Sequence, residues 1–277
     1  MSVEEWIRRA AEKMEAAGCL DPRTDAEWMI CEKTALRRSH LRLAAQKTLN
    51  EAQLTELDAW LERRCRREPL QYIFGHTPFW KLDILCDHRA LIPRPETEYM
   101  VEMAVDSAPK KKLRVLDLCC GTGAIGLSVK HACPWAEVTL SDISENALAL
   151  AGENAARLGL KAEFCLGDLF APLAGRQFDM ILCNPPYLTK QDMKELQAEV
   201  AREPENALDG GQDGLDFYRR IAMEMGQYLT KGGQAWFELG MGQAQDVAAL
   251  MARLGKTEIV RDLSGTERFV RVYRTVE

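Results

Sequence analysis

The chain has 277 residues, of which 47% are hydrophobic and 28% charged, a composition that excludes disordered, collagen-like and low-complexity chains. Its length suits one large domain or two. The formal net charge of −6 disfavours a nucleic-acid partner, because binding to phosphates draws its strength from cationic side chains.

The opening segment MSVEEWIRRAAEKMEAAG carries charges throughout, so it lacks the apolar stretch of a signal peptide. No apolar run approaches the ~18 residues a membrane span needs. The first 70 residues read as amphipathic helices. Ser2 with Glu5, Thr24 with Glu27 and Thr48 with Glu51 each form a capping-box pattern ahead of apolar residues at helical spacing. The run Arg63, Arg64, Arg66, Arg67 is read as a solvated helix end with its cations near the last carbonyls.

Residues 69–92 are richer in aromatic and β-branched residues and are punctuated by Gly75 and Pro78. They read as a β-hairpin linking two domains. From Lys112 onward, short apolar runs (LRVLDL, EVTLS, AEFCL, FDMILC, QAWFEL) alternate with helical stretches, and EIVRD and RFVRVY follow. That alternation predicts a mostly parallel sheet covered on both faces. The expected division is a helical domain over 1–70, a hairpin linker over 71–92 and an α/β domain over 93–277. Residues 1–75 hold 13 basic and 13 acidic side chains, and the remainder 23 and 29, so the whole net charge lies outside the helical part. The nine cysteines are odd in number and contain no C-x-x-C pair. They predict free thiols in a reducing cytoplasm, with no metal site.

Two turns carry chemistry. The first follows LRVLDL: Cys119, Cys120, Gly121, Thr122, Gly123, then Gly126, with a helix beyond. Gly121-x-Gly123-x-x-Gly126 followed by Asp142 fits a dinucleotide fingerprint with an acid for ribose hydroxyls. It fits equally a nucleoside without a pyrophosphate. In that case Asp117 suits the ammonium of a methionine moiety, Asp142 the ribose of S-adenosylmethionine, and Asp168 the adenine amino group. Each acid alone is also an ordinary helix N-cap. Three of them after three successive strands point to one ligand along a sheet edge.

The second turn is Asn184-Pro185-Pro186-Tyr187, directly after FDMILC. Two prolines remove two backbone donors. What remains is a set of acceptors, the Asn184 side-chain oxygen and the Pro185 carbonyl, suited to both protons of an NH₂ group. Tyr187 adds a flat face for a planar group. Holding an amide nitrogen in this way aims its lone pair at a methyl donor, so positioning rather than a strong base lowers the barrier. No histidine lies near these motifs in sequence, and proton loss follows methyl transfer. As an ordinary rigid turn the same residues would need no ligand.

At these residues the chain resembles the HemK/PrmC family of peptide chain release factor glutamine methyltransferases. The likeness extends to Glu68–Gly75, to Leu91–Glu98, to Glu203-Pro204, Ala207-Leu208 and to Asp213–Tyr218. The resemblance implies a class I, Rossmann-like methyltransferase with a seven-stranded, mostly parallel sheet and a small N-terminal helical bundle. It implies S-adenosylmethionine as cofactor, S-adenosylhomocysteine as product, and the glutamine of a Gly-Gly-Gln motif in release factors as substrate. The helical domain would help grip that protein. The implied cofactor contacts are Asp117, Cys119, Cys120, Gly121, Thr122, Gly123, Asp142, Asp168, Leu169 and Asn184. The implied substrate contacts are Arg94, Glu96, Asn184, Pro185, Pro186 and Tyr187, with Asn184, Pro185 and Tyr187 catalytic. Cys119 replaces a loop glycine, so this position is not expected to need a positive φ. Leu169 stands where some relatives carry an aromatic residue. The chain's own Gly232-Gly233-Gln234 reads as a turn into QAWFEL rather than a self-substrate. Besides a non-catalytic binding module, two other readings stay open. One is an amino methyltransferase for DNA adenine or RNA guanine, disfavoured by the acidic catalytic half. The other is an NAD-dependent oxidoreductase, which leaves Asn184–Tyr187 unexplained.

Overall fold

A computed structural model describes residues 1–275 and divides them into two units. The first comprises Met1–Gly75 together with Gln197–Arg202; the second comprises His76–Leu196 and the chain from Glu203 on.

The first unit is helical: α1 (Val3–Ala16), α2 (Pro22–Thr34), α3 (Glu51–Cys65) and the short α4 (Leu70–Phe74). Trp6, Ile7, Met14, Met29, Ile30 and Leu57 form its buried centre. The Ser2–Glu5 capping box is present. The other two expected caps fall elsewhere. α2 begins earlier, behind Asp21 with Pro22 in its first turn, where the missing proline N–H costs nothing. α3 is capped by a reciprocal Asn50–Gln53 pair rather than by Thr48 and Glu51. The arginine run is a solvated helix end only in part: Arg66 is exposed and Arg63 half-buried. Arg64 is 6% exposed and donates to Asp25 at 2.8 Å and Glu199 at 2.7 Å, while Arg67 grips both oxygens of Glu199. Burial alone would raise the Glu199 carboxyl, but the two guanidinium groups outweigh it and hold the group down to about 2.

The second unit opens with an antiparallel hairpin, β1 (His76–Phe79) and β2 (Leu82–Leu85). The hairpin is thus shorter than the stretch read for it, because Leu70–Phe74 is helical and Gly75, at φ 80°, ends that helix. The main sheet has seven strands: β3 (Leu113–Leu118), β4 (Ala136–Asp142), β5 (Glu163–Leu166), β6 (Phe178–Cys183), β7 (Leu229–Glu238), β8 (Gly255–Arg261) and β9 (Glu267–Arg274). Their order is β5-β4-β3-β6-β7-β9-β8. The first five in that order run parallel, and β9 runs antiparallel to both of its neighbours, β7 and β8. The helices are α5 (Pro95–Ser107), α6 (Ala124–Ala132), α7 (Glu145–Leu158), α8 (Asp216–Tyr228) and α9 (Ala244–Met251).

Alternation along the central strands explains why both faces are covered. Val115, Met180, Leu182 and Trp236 pack into one core with residues of α5, α6 and α7. Their neighbours Leu116, Ile181, Cys183 and Phe237 pack into another with α8 and α9. Burying one large aliphatic side chain contributes about 1.5–3 kcal/mol, so two such layers fix strand register firmly. Gly232-Gly233-Gln234 lies inside β7, beside a register shift against β6, instead of forming the turn before it. The Gln234 amide donates to Ser107 Oγ at 2.9 Å and accepts from Arg271 Nε at 3.0 Å, which makes this glutamine a structural tie.

Candidate active site

The strand order places the reversal of sheet direction between β3 and β6: β4 and β5 lie on one side, β7 on the other. Ligands of open α/β sheets bind outside the carboxyl ends of the strands at such a point. Leu118 pairs with Cys183, so the glycine loop and Asn184 leave the sheet side by side. A cavity of about 530 Å³ opens there, within the size range of small-molecule sites.

Of the residues expected at a cofactor, Cys119, Gly121, Asp142, Asp168, Leu169 and Asn184 line this cavity, as does Pro186. The Asp142 carboxylate ties the wall together: Oδ2 accepts from the Gly121 N–H at 2.8 Å and Oδ1 from the Ser144 N–H at 2.9 Å. Burial raises its pKa against those backbone donors. Cys119 adopts φ 61°, contrary to expectation; the loop demands a left-handed residue here even without glycine. Leu169, at φ 47°, does the same while packing into the core beneath. The Asn184 side chain has no hydrogen bond among the described residues, and the residue lines the cavity.

Asp117, Cys120, Thr122 and Gly123 stand behind the wall rather than in it. Asp117 is fully buried, and its Oδ2 accepts from the Gly126 N–H at 2.8 Å. Burial pushes its pKa up to about 7, opposed by that N–H and reinforced by the charge of Asp142. The Cys120 N–H donates to the Ser141 carbonyl at 3.0 Å, the Thr122 carbonyl accepts from Asn154 at 3.1 Å, and Gly123 at φ 77° precedes α6. Gly126 must be glycine for packing: a Cβ there would collide with Leu140 and stand 3.0 Å from Asp117 Cβ.

Pro185 and Tyr187 lie outside the cavity lining, as do Arg94 and Glu96. Burial lifts the Tyr187 phenol to about 12, with Glu238 adding to the rise against Arg268 and Arg94. A phenol this reluctant to ionise is no general base at neutral pH. Arg94 is held by the buried Glu203, which also accepts from the Ile92 N–H at 2.9 Å. None of the four histidines lines the cavity.

Several residues went unread in the sequence. Arg220 donates to Asp168 at 2.5 Å, and both line the cavity together with Phe217. Asn154, wholly buried on α7, donates to the carbonyls of Thr122 and Leu85 and accepts from the Leu85 N–H, linking the glycine loop to β2. Glu238 is buried at the end of β7, accepts from Thr97 at 2.6 Å and is pushed by burial up to about 7. The Phe217 and Arg220 positions lay within or beside a family-like stretch; Asn154 had no such mark. Among the described residues no helix is long and apolar enough to cross a membrane.

An S-adenosyl nucleoside fits the donor and acceptor set. The carboxylate at the end of β4 suits a diol, and Leu169 and Phe217 offer apolar surface. Two buried oxygens by the loop, Asp117 Oδ1 and Ser141 Oγ, have no partner among the described residues.

Comparison with known proteins places this architecture. Residues 5–75 match the family described as PrmC N-terminal domain, and residues 97–214 match the Methyltransferase small domain family. A release factor glutamine methyltransferase of Geobacter sulfurreducens is 40% identical over 272 residues, covering 97% of this chain and 94% of its own. One from Deinococcus radiodurans is 38% identical and covers 99% of both chains. Among solved structures, a methyltransferase from Pyrococcus furiosus superposes with a TM-score of 0.57 at 16% identity, over 77% of this chain and 98% of its own. That likeness reports the class I methyltransferase fold.

Proposed function

The chain belongs to the release factor glutamine methyltransferase family, and from that premise we propose that it transfers a methyl group from S-adenosylmethionine to the side-chain amide nitrogen of the glutamine in the Gly-Gly-Gln motif of peptide chain release factors. The observation that carries the reading is Asn184: an amide with no hydrogen bond among the described residues, on the cavity wall and next to the glycine loop.

When bound, the cofactor supplies an electrophilic methyl on a sulfonium. Asp142 would hold the ribose hydroxyls. Asp168, already oriented by Arg220, would accept from the adenine amino group, and Leu169 and Phe217 would pack on the base. The buried Asp117 would support the loop around the methionine end, with Cys119, Cys120, Thr122 and Gly123 giving it shape. On the substrate side, Asn184 Oδ1 and the Pro185 carbonyl would accept the two amide protons, which turns the nitrogen lone pair toward the methyl. Pro186 and Tyr187 keep water and competing donors from that pair. Arg94 and Glu96 would border the entering peptide, and the helical residues 1–70 would help grip the protein substrate. Positioning of this kind lowers the barrier by up to about 7–11 kcal/mol in well-oriented reactions. The nine cysteines are free, in keeping with a cytoplasmic reaction.

Labelled methyl from S-adenosylmethionine is expected to enter a purified release factor and not the same factor with its motif glutamine replaced by alanine. Equal labelling of the two would sink the proposal.

A further inference from the structure

The Asn-Pro-Pro-Tyr turn has to hold its acceptors rigidly, yet it lacks the means to brace itself. Pro185 and Pro186 have no N–H to donate, and among the described residues no backbone hydrogen bond closes residues 184–187 on themselves. Its bracing comes from elsewhere in the chain. The Leu188 N–H donates to the Leu208 carbonyl at 2.9 Å, and the Gly210 N–H returns to the Leu188 carbonyl at 2.8 Å. Within residues 184–188, the one side chain that donates among the described residues is Gln243. Its Nε2 lies 2.9 Å from the Tyr187 carbonyl and 3.5 Å from that of Gly214, and its Oε1 accepts from the Gly240 N–H at 2.9 Å.

Gln243 stands in the capping position of α9 but makes no side-chain cap to that helix. Its amide serves three loops instead. Those loops are shaped to admit it. A Cβ at Gly214 would strike both the Tyr187 carbonyl and Gln243 Nε2, one at Gly210 would come within 2.7 Å of Tyr187 Cα, and one at Gly240 would come within 3.0 Å of Gln243 Oε1. The three glycines bring the backbone of 210–214 and 240 close enough for one amide to span them.

We infer that Gln243 is a positioning residue for methyl transfer: it clamps the carbonyl at the end of the Asn-Pro-Pro-Tyr turn and so fixes where Asn184 and the Pro185 carbonyl present their acceptors. The inference rests on the proposed reaction for its rate consequence and on geometry alone for its mechanical one. An error of about 1 Å in such a site costs roughly 100-fold in rate. Gln243→Glu separates the two halves of the clamp, since a carboxylate still accepts from Gly240 but cannot donate to Tyr187. Gln243→Met removes both.

Two readouts decide the matter. The first needs no substrate: amide hydrogen exchange at Leu188 and Gly210 is expected to rise about tenfold or more in Gln243→Glu, the loss of one hydrogen bond, with exchange in β3 and β6 unchanged. The second is turnover on a release factor: kcat is expected to fall about 10- to 100-fold, with the KM for S-adenosylmethionine and the thermal shift by S-adenosylhomocysteine unchanged. Unaltered exchange at Leu188 and Gly210 overturns the clamp. Raised exchange with wild-type kcat overturns its positioning role, and so does a loss of cofactor binding in step with turnover. A wild-type enzyme that labels no release factor refutes the proposed substrate instead, and the exchange experiment still decides the clamp.

Discussion

The turn after β3 contains Gly121 and Gly123, both at positive φ, whereas the turn after β6 contains two prolines. They emerge from paired strand ends, Leu118 against Cys183, and they solve different problems. The glycine loop bends tightly and gives its N–H groups to acids at two strand ends: Asp142 accepts from Gly121, and Asp117 accepts from Gly126. The proline turn is stiff but poor in donors, and its fixed points come from residues far along the chain, Leu208, Gly210 and Gln243. One turn shapes itself around a ligand with buried acids. The other keeps a pair of acceptors free by having nothing of its own to satisfy them.

That contrast can be broken at Asn184. Asn184→Ala removes an acceptor from the proline turn alone, and kcat is expected to fall about 100- to 1,000-fold, as when one polarising contact is removed from other active sites. The thermal shift produced by S-adenosylhomocysteine should remain close to that of wild type. A kcat within tenfold of wild type would show that the turn merely supports the fold.

Gly126→Ala tests the packing of the glycine side. The new methyl collides with Leu140 and crowds Asp117. Overpacking of this kind costs about 1–3 kcal/mol, and each kcal/mol is worth about 2–4 °C in Tm for a domain of this size. An unchanged melting curve would mean that the loop tolerates a side chain where the structure leaves no room.

The acid beneath the loop gives a pH signature. An unfolded aspartate ionises near 3.8, and burial raises Asp117 in the fold to about 7. Between those values the folded protein holds a proton that the unfolded chain has released. This group therefore opposes folding increasingly as pH rises through the window, and fully above it. Asp117→Asn cannot ionise and can still accept from Gly126. Its Tm relative to wild type is expected to climb from about pH 5 to about pH 8. Taking the difference removes the parallel contribution of Glu238, which titrates in the same range. A flat difference would mean that Asp117 is not held protonated. The smallest effect is expected for Cys119→Gly. A left-handed conformation costs a non-glycine residue about 1–2 kcal/mol, while the more flexible unfolded chain returns about 0.4–1 of it. The variant should melt at wild-type temperature or slightly above, and a clear fall would show that the Cys119 side chain contributes more than its strain costs.

The two turns also differ in how far they could be read. Both were visible as motifs, since glycine spacing and a Pro-Pro pair leave marks in local sequence, and strand alternation foretold the sheet beneath them. Their supports were less visible. Asn154 and Gln243 act through single amides brought in by tertiary packing, with no periodicity to betray them. The same is true of Glu199, which seats itself on Arg64 and Arg67 from more than a hundred residues away and makes a half-buried ion cluster at one side of an otherwise solvated helix end. At Cys119 the reason is different: a local preference against positive φ yields to the hydrogen bonds that fix the loop beside it.

The central claim is that this cavity and the proline turn deliver a methyl group to an amide nitrogen. Tandem mass spectrometry of a release factor incubated with the enzyme and S-adenosylmethionine tests it most directly. A single methyl is expected on the side-chain nitrogen of the Gly-Gly-Gln glutamine, absent when Asn184→Ala replaces the wild type. A methyl on another residue, or on no residue of the factor, would contradict it.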